Sequence, residues 1–489
     1  MSSPETEQAQ RTFFGQPPVL ANLFGVELWE RFSFYGMQGI LLIYLYYTAE
    51  RGGLGIDEGT ATSIVGAYGG LVYLSTILGA WLADRALGPE RTLFYAAVVV
   101  MAGHIALALI PGLAGVAVGV AVGLVLIAVG SGGVKANATS LVGTLYSEDD
   151  DRRDGGFSLF YLGINLGAFA GPLLTGLLQK NVGFHYGFGL AAAGMFLGLV
   201  QYGAGRRRLP DEARRVPNPL TADALRRVVI AAVVALVVVV GILISGIVPA
   251  SRYALAVAVI SALAAIAYFV VILGSGRLTE VEHSRVLAFI PLFIASAAFW
   301  SLYQQQFTVV TVYSDQRLDR NIFGWEMPVS FVQSINPVMV IILSGVFAAL
   351  WTKLGSRQPS TPIKFSAGLA IMGVAFLLFL TMAGGGPNSA PLLGLTGILL
   401  VFTIAELLLS PVGLSLSTKL APEAFRTQMV ALFFLSVALG TAMSGVLAKL
   451  YSTDHEAPYF GVIGVVALVL GGLLALASPA IRRLMRGVH

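Results

Sequence analysis

The chain has 489 residues, 56% of them hydrophobic and only 11% charged, with no cysteine and a formal net charge of +4. Soluble domains carry roughly 25% charged residues, so an ordinary soluble enzyme and a disordered chain are both excluded. The missing cysteine removes disulfides and thiolate metal sites, and the slight basic excess reads as Lys and Arg gathered on one side of a membrane, not as nucleic-acid binding.

The first 20 residues are polar and hold no apolar signal core, so no cleaved signal peptide is expected. Fourteen apolar segments follow, each long enough to cross a bilayer as a helix. Six lie near 23–48, 58–85, 92–110, 116–146, 156–180 and 186–205. Two lie near 226–247 and 253–274, and six more near 285–312, 326–352, 363–383, 391–420, 423–450 and 458–481. Long uniform runs exclude a β-barrel, whose strands would be short and alternating.

The first segment carries Glu27, Glu30 and Arg31. A charge near the bilayer centre costs about 2.5–3.5 kcal/mol on insertion scales, so three within one turn point to a pathway for something polar. Glu27, Arg31, Tyr35 and Gln38 recur at helical spacing and share one face. Between segments two and three, Asp84, Arg85 and Arg91 form a short charged loop, expected to pair across a cytoplasmic gate. Trp351-Thr-Lys353-Leu-Gly355-Ser-Arg357 stands at the matching place in the second half. Lys135 lies alone in segment four and Glu406 in segment twelve, with no basic residue within ten positions on its span.

With the N-terminus in the cytoplasm, 22 of the 30 Lys and Arg lie inside, six lie outside (Arg51, Lys180, Arg252, Arg317, Arg320, Lys449) and two lie within spans. That bias sets the expected topology. The domains read as an N-terminal tail at 1–22, a six-helix bundle at 23–205 and a basic linker at 206–225. An inserted helix pair at 226–276, a second six-helix bundle at 285–481 and a tail at 482–489 complete the chain. Pro210, Pro217 and Pro219 argue against a continuous helix in the linker. The inserted pair is Ala/Val/Leu-rich, and lipid-facing packing is expected of it. Six plus six spans is the pattern of major facilitators, whose binding site lies between the halves.

Several motifs then coincide. Glu27-xx-Glu30-Arg31-Phe32-x-Phe34-Tyr35-Gly36 is similar to the ExxERFxYYG signature of proton-coupled oligopeptide transporters. Phe160-Tyr161-xx-Ile164-Asn165-x-Gly167 resembles their FYxxINxG motif. Lys135 after Gly132-Gly133, Asn336-Pro337, and Glu406 before Ser410-Pro411 fall at the family's matching positions. The resemblance runs from about 23 to 480 and includes the inserted pair. It implies an all-α membrane protein of the major facilitator fold that imports di- and tripeptides with protons by alternating access.

On that reading Arg31 and Lys135 take the peptide carboxylate, Glu406 takes its amine, and Glu27 and Glu30 carry protons. Tyr35, Tyr73, Tyr161, Asn165, Asn336 and Ser410 line the site, and Trp300 shapes a side-chain pocket. Glu27–Arg31 also reads as an ordinary i,i+4 pair, which is compatible with a coupling role, and the lesser alternative for Lys135 is a structural pair with Glu27 or Glu30. His104 and His185 look incidental. The sequence leaves the family pattern at three places: Phe34 replaces a Tyr, Gln38 replaces an Arg, and Gln304-Gln305-Gln306 follow Trp300 where an acid is usual. Losing both members of a buried ion pair avoids the about 3–5 kcal/mol of stranding one, so Gln38 and Gln304 or Gln305 are expected to pair as amides at the outer gate. Three acids (Glu27, Glu30, Glu406) against two bases (Arg31, Lys135) leave an excess of one carboxylate for a proton.

The expected partners are peptide, protons and the lipid bilayer, with a monomer in the inner cell membrane and both termini cytoplasmic. No nucleic acid, cofactor or metal is expected. A family member moving another small metabolite, and a peptide-binding sensor with weak transport, are the alternatives. An enzyme is excluded because no Ser/His/Asp set, metal-ligand cluster or phosphate loop is present.

Overall fold

A computed structural model of the protein describes residues 12–109, 116–147 and 150–488. The apolar runs become helices because a helix satisfies its own backbone N–H and C=O groups where no water reaches them. In order these are α1 (Leu20–Tyr46), α2 (Glu58–Leu82), α3 (Pro89–Leu109), α4 (Val116–Gly143), α5 (Arg153–Asn181) and α6 (Phe184–Gly205). The pair α7 (Ala222–Ser245) and α8 (Tyr253–Gly274) follows. Then come α9 (Glu280–Tyr303), the short α10 (Val309–Gln316), α11 (Ile335–Leu354), α12 (Thr361–Leu378), α13 (Leu392–Lys419), α14 (Arg426–Ala448) and α15 (Glu456–Leu484).

Among the described residues, 13 helices are long and apolar enough to cross a membrane, with α9 and α10 taken as one. The fourteenth span is α1, at 27 residues; its interior Glu27, Glu30 and Arg31 lower its hydropathy. Local chemistry sets several starts. The Asp57 carboxylate caps α2 by accepting from the Thr60 N–H at 2.9 Å, and Thr279 with Glu282 forms a reciprocal capping box at the start of α9.

In the first bundle α1 packs on α5 and α6, α3 on α4 and α6, and α2 on α4. In the second, α9 packs on α12, α14 and α15, and α12 on α13 and α15. The bundles meet where α2 crosses α14, and where α5 crosses α11 and the turn before it. Glycine sets the first crossing: a Cβ on Gly66 would lie 2.6 Å from the Gly445 Cα. At the second, Ser330 donates to the Pro172 carbonyl and Ser334 to that of Phe169, each at 2.8 Å.

Two boundaries differ from expectation, one at the 326–352 segment and one at the C-terminal tail. Residues 1–11 of the N-terminal tail, residue 110 of the third segment and the last residue of the C-terminal tail lie outside the described residues. The segment expected at 326–352 starts later than 326. Residues Asn321–Ile322 and Trp325–Glu326 pair as a small hairpin around Gly324, and a 3₁₀ turn at Val329–Ser334 precedes α11. The C-terminal tail is shorter than 482–489, because α15 continues to Leu484.

The inserted pair divides its roles. On α7, Val229, Val233 and Val237 stay exposed, as a lipid-facing helix requires. By contrast α8 packs against both α2 and α14, burying Ala254, Ala258, Ser261 and Ala265, so lipid-facing packing describes only its other side. Small side chains let it approach closely. Elsewhere a buried pair, Arg317 Nε to Glu456 Oε1 at 2.7 Å, pins the start of α15. Arg317 also donates to the Gly385 carbonyl and to Ser389 Oγ, which holds the 383–391 loop in place.

Candidate functional site

Between the bundles lies a cavity of about 240 Å³. Its wall includes Glu27, Arg31, Tyr35, Tyr73, Lys135 and Asn165 from the first bundle, and Trp300, Gln304, Asn336, Glu406 and Ser410 from the second. These residues come from seven different spans, so only the folded chain brings them together. Tyr161, Glu406 and Ser410 also border a wider vestibule of about 1030 Å³. It reaches Gly355, Gln358, Lys419 and Arg482, at the end of the molecule that carries the 206–221 linker.

On α1 the 3.6-residue repeat stacks Glu27 beneath Arg31. Arg31 Nε lies 2.8 Å from both Glu27 Oε1 and Glu30 Oε2. The two acids then diverge. Glu27 faces the cavity, whereas Glu30 stays fully buried behind Arg31 and accepts from Ser131 Oγ at 2.7 Å. Lys135 makes no ion pair among the described residues; its Nζ sits 4.3 Å from the centre of the Tyr73 ring. A structural pair with Glu27 or Glu30 is therefore absent here, and a cation held on an aromatic face stays free to take an anion.

Across the cavity, Asn336 Nδ2 donates to Glu406 Oε2 at 3.2 Å and to Thr403 Oγ1 at 3.0 Å. Tyr303 OH donates to Asn336 Oδ1 at 3.2 Å. Asn336 thus fixes the carboxylate without neutralising it. Asn165 spends its Nδ2 on the Tyr161 carbonyl one helical turn back, leaving its oxygen for other partners.

The glutamine pair expected at the outer gate does not form. Gln38 is buried, is not on the cavity wall, and its Oε1 has no protein partner. Gln304 Nε2 donates to Tyr73 OH at 3.5 Å, and Gln305 accepts from Tyr459 OH at 2.8 Å inside the second bundle. The cause is local. The helix breaks into a 3₁₀ turn at Gln304–Phe307, which aims successive glutamines in different directions.

The bundles are joined at the end away from the linker, on residues that sequence reasoning did not single out as a gate. Tyr46 and Tyr47 of α1 donate to the two oxygens of Asp315 on α10, at 2.7 and 2.6 Å. Gln316 donates to Glu58 at 2.7 Å, and Lys180 meets Glu326 at 3.2 Å. Each contact joins one bundle to the other. Tyrosines at a span end read as interfacial anchors, so the sequence held no distinguishing signal for them.

At the linker end, Asp84 and Arg85 make no hydrogen bond or ion pair to the second bundle among the described residues. Asp84 Oδ1 accepts from Asn218 Nδ2 at 2.9 Å, and the Arg85 carbonyl accepts from the Leu220 N–H at 2.9 Å. Arg91 is exposed, while its neighbour Glu90 pairs with Arg206. The expected gate residues are here tied to the linker, because Gly88 (φ +78°) turns the chain against the backbone of Arg214. His104 is buried in α3 without a partner on either nitrogen, and no group of metal-ligating side chains occurs among the described residues.

Comparison with known proteins gives a consistent picture. Residues 90–466 match the PTR2 family model, described as the POT family. The chain is 44% identical over 482 residues to "Uncharacterized transporter YclF" of Bacillus subtilis, covering 98% of this chain and 97% of that one. It is 40% identical to a "Di-/tripeptide transporter" of Lactococcus lactis subsp. lactis, with 99% of each chain covered. A crystal structure of a peptide transporter POT in complex with sulfate superposes with a TM-score of 0.91 at 45% identity, covering 98% of both chains.

Proposed function

The chain belongs to the POT family, a group of membrane transporters and not enzymes, and on that premise we propose that it imports di- and tripeptides together with protons. One observation carries the reading: Arg31 and Lys135 of one bundle and Glu406 of the other share the wall of a single cavity. A zwitterionic peptide needs a cation for its carboxylate and an anion for its amine. Spanning the two draws the bundles together, which couples binding to alternating access.

Protons enter through α1. Arg31 is held by Glu27 and Glu30, and a proton on Glu27 releases its guanidinium toward an arriving carboxylate. Glu27 is the reachable acid, since Glu30 is turned toward Ser131. The excess of one carboxylate over the bases is neutralised by that proton.

The linker end faces the cytoplasm, where the Lys/Arg bias puts it. The present conformation, closed at Asp315 and open at the vestibule, then faces inward, and the Asp84–Arg91 loop engages the second bundle only when the inner side closes.

Uptake of labelled dialanine into liposomes under an inward proton gradient tests the reading, with Lys135→Ala and Glu406→Gln beside the parent. Accumulation in the parent and its loss in both variants is expected. A parent that binds dialanine without accumulating it would be a sensor, and one that accumulates only a non-peptide metabolite would overturn the peptide assignment.

A further inference from the structure

Gln333 sits in the 3₁₀ turn before α11, is 7% exposed, and lines the central cavity. Its amide orientation follows from hydrogen counting. The Thr311 hydroxyl lies 2.9 Å from the Gln306 carbonyl, which can only accept, so the single hydroxyl proton points there. At 3.1 Å from Thr311 Oγ1 the Gln333 amide must therefore donate, and its nitrogen faces Thr311. The amide oxygen is left as a buried acceptor with no partner in the protein. Such a group costs free energy until a donor reaches it.

We propose that Gln333 Oε1 accepts the N–H of the substrate's first peptide bond, making Gln333 a residue that selects for an unsubstituted backbone amide. This rests on the peptide reading above. Asn336, which orients Glu406, is three residues further along, and the i,i+3 relation puts both side chains on one side of the turn. A peptide whose amine is at Glu406 carries its next N–H donor one residue along, about 3.5 Å away, while i and i+3 side chains diverge by about 5–6 Å. Gln333 and the Glu406–Asn336 pair thus line the same cavity, and the proposed contact brings the second donor of an extended peptide to the free acceptor. Thr311 is a positioning residue: it touches no substrate and holds the amide so that oxygen, not nitrogen, is presented.

Competition of dialanine and its N-methylated peptide-bond analogue against labelled dialanine uptake tests this. The parent is expected to favour dialanine by about three- to tenfold, the worth of one hydrogen bond. In Gln333→Met, which keeps length without an acceptor, that ratio falls to about twofold or less. Any steric effect of the methyl group is common to both proteins and cancels in the comparison. Thr311→Val, which frees the amide to flip, lowers the ratio part of the way and serves if the first variant does not fold. An unchanged ratio in the folded variants overturns the assignment of Gln333 alone. A parent that accumulates no dialanine overturns the peptide reading and this inference together.

Discussion

Replacing Asp315 by Asn attacks the outer closure at its best-bonded point. Its side chain is 8% exposed and receives two tyrosine hydroxyls from the other bundle. Hydrogen bonds to an ionised acceptor contribute about 1.5–3 kcal/mol each, and neutral ones about 0.5–1.5. Asn keeps an acceptor but not the charge, so the closed state loses about 2–3 kcal/mol in all. That shifts the closed-to-open ratio by about 30- to 150-fold. A population that is about 99% closed falls to between about 77 and 40%. With no native cysteine to remove, spin labels on Glu50→Cys and Phe323→Cys, both exposed near the closure, report the change by electron–electron distance. The parent should give one short distance and Asp315→Asn a second, longer one. Tyr46→Phe and Tyr47→Phe, each deleting one bond to the ionised acceptor at about 1.5–3 kcal/mol, should each give a shift of similar size. Identical distributions in parent and variant would refute the idea that these bonds hold the outer side shut.

Other outcomes follow from the same geometry. Gly66→Val places a side chain on the Gly445 backbone, so it should force α2 from α14, lengthen the same label distance and cut uptake at least about tenfold, since overpacking costs about 1–3 kcal/mol. Glu456→Gln strands the buried Arg317 and should cost about 3–5 kcal/mol; the melting temperature in detergent falls, while the KM of the folded fraction for dialanine stays unchanged. Glu326 behaves differently. Partial desolvation works to raise its pKa, but the Lys180 hydrogen bond and the nearby Arg320 outweigh it and hold the carboxyl below the usual range. A depressed acid contributes above its ordinary pKa and is lost only as pH falls below it. The Lys180–Glu326 link should therefore survive a drop from pH ~7 to ~5.5, and the effect of Glu326→Gln on the label distance should be the same at both ends of that range.

Charges in oil were the most legible part of the sequence. Arg31, Lys135 and Glu406 stand out because each costs free energy in an apolar run, and all three reach one cavity. The spans were legible for the related reason that backbone saturation enforces helices. Gln38 and Gln304 misled because a neutral amide has no partner that charge balance can name, and the break at Gln304–Phe307 leaves no mark in the hydrophobic pattern. Asp84 and Arg85 were read as a gate, yet here they are bonded to the linker; a contact that belongs to one state of a moving molecule cannot be assigned a state from its sequence. Asp315 and Gln333 were missed because nothing local separates them from ordinary span-end polar residues.

The placement of α8 constrains how the molecule can move. It bears on α2 of one bundle and α14 of the other at the same seam, so neither bundle can rock without sliding along it. Its buried track of Ala254, Ala258, Ser261 and Ala265 presents mostly small side chains at that seam. Its other side carries Leu255, Ile260, Leu263 and Ile266 into the lipid. A span held by the bilayer on one side and by the moving seam on the other feels hydrocarbon thickness, and the turnover rate of this transporter inherits that sensitivity.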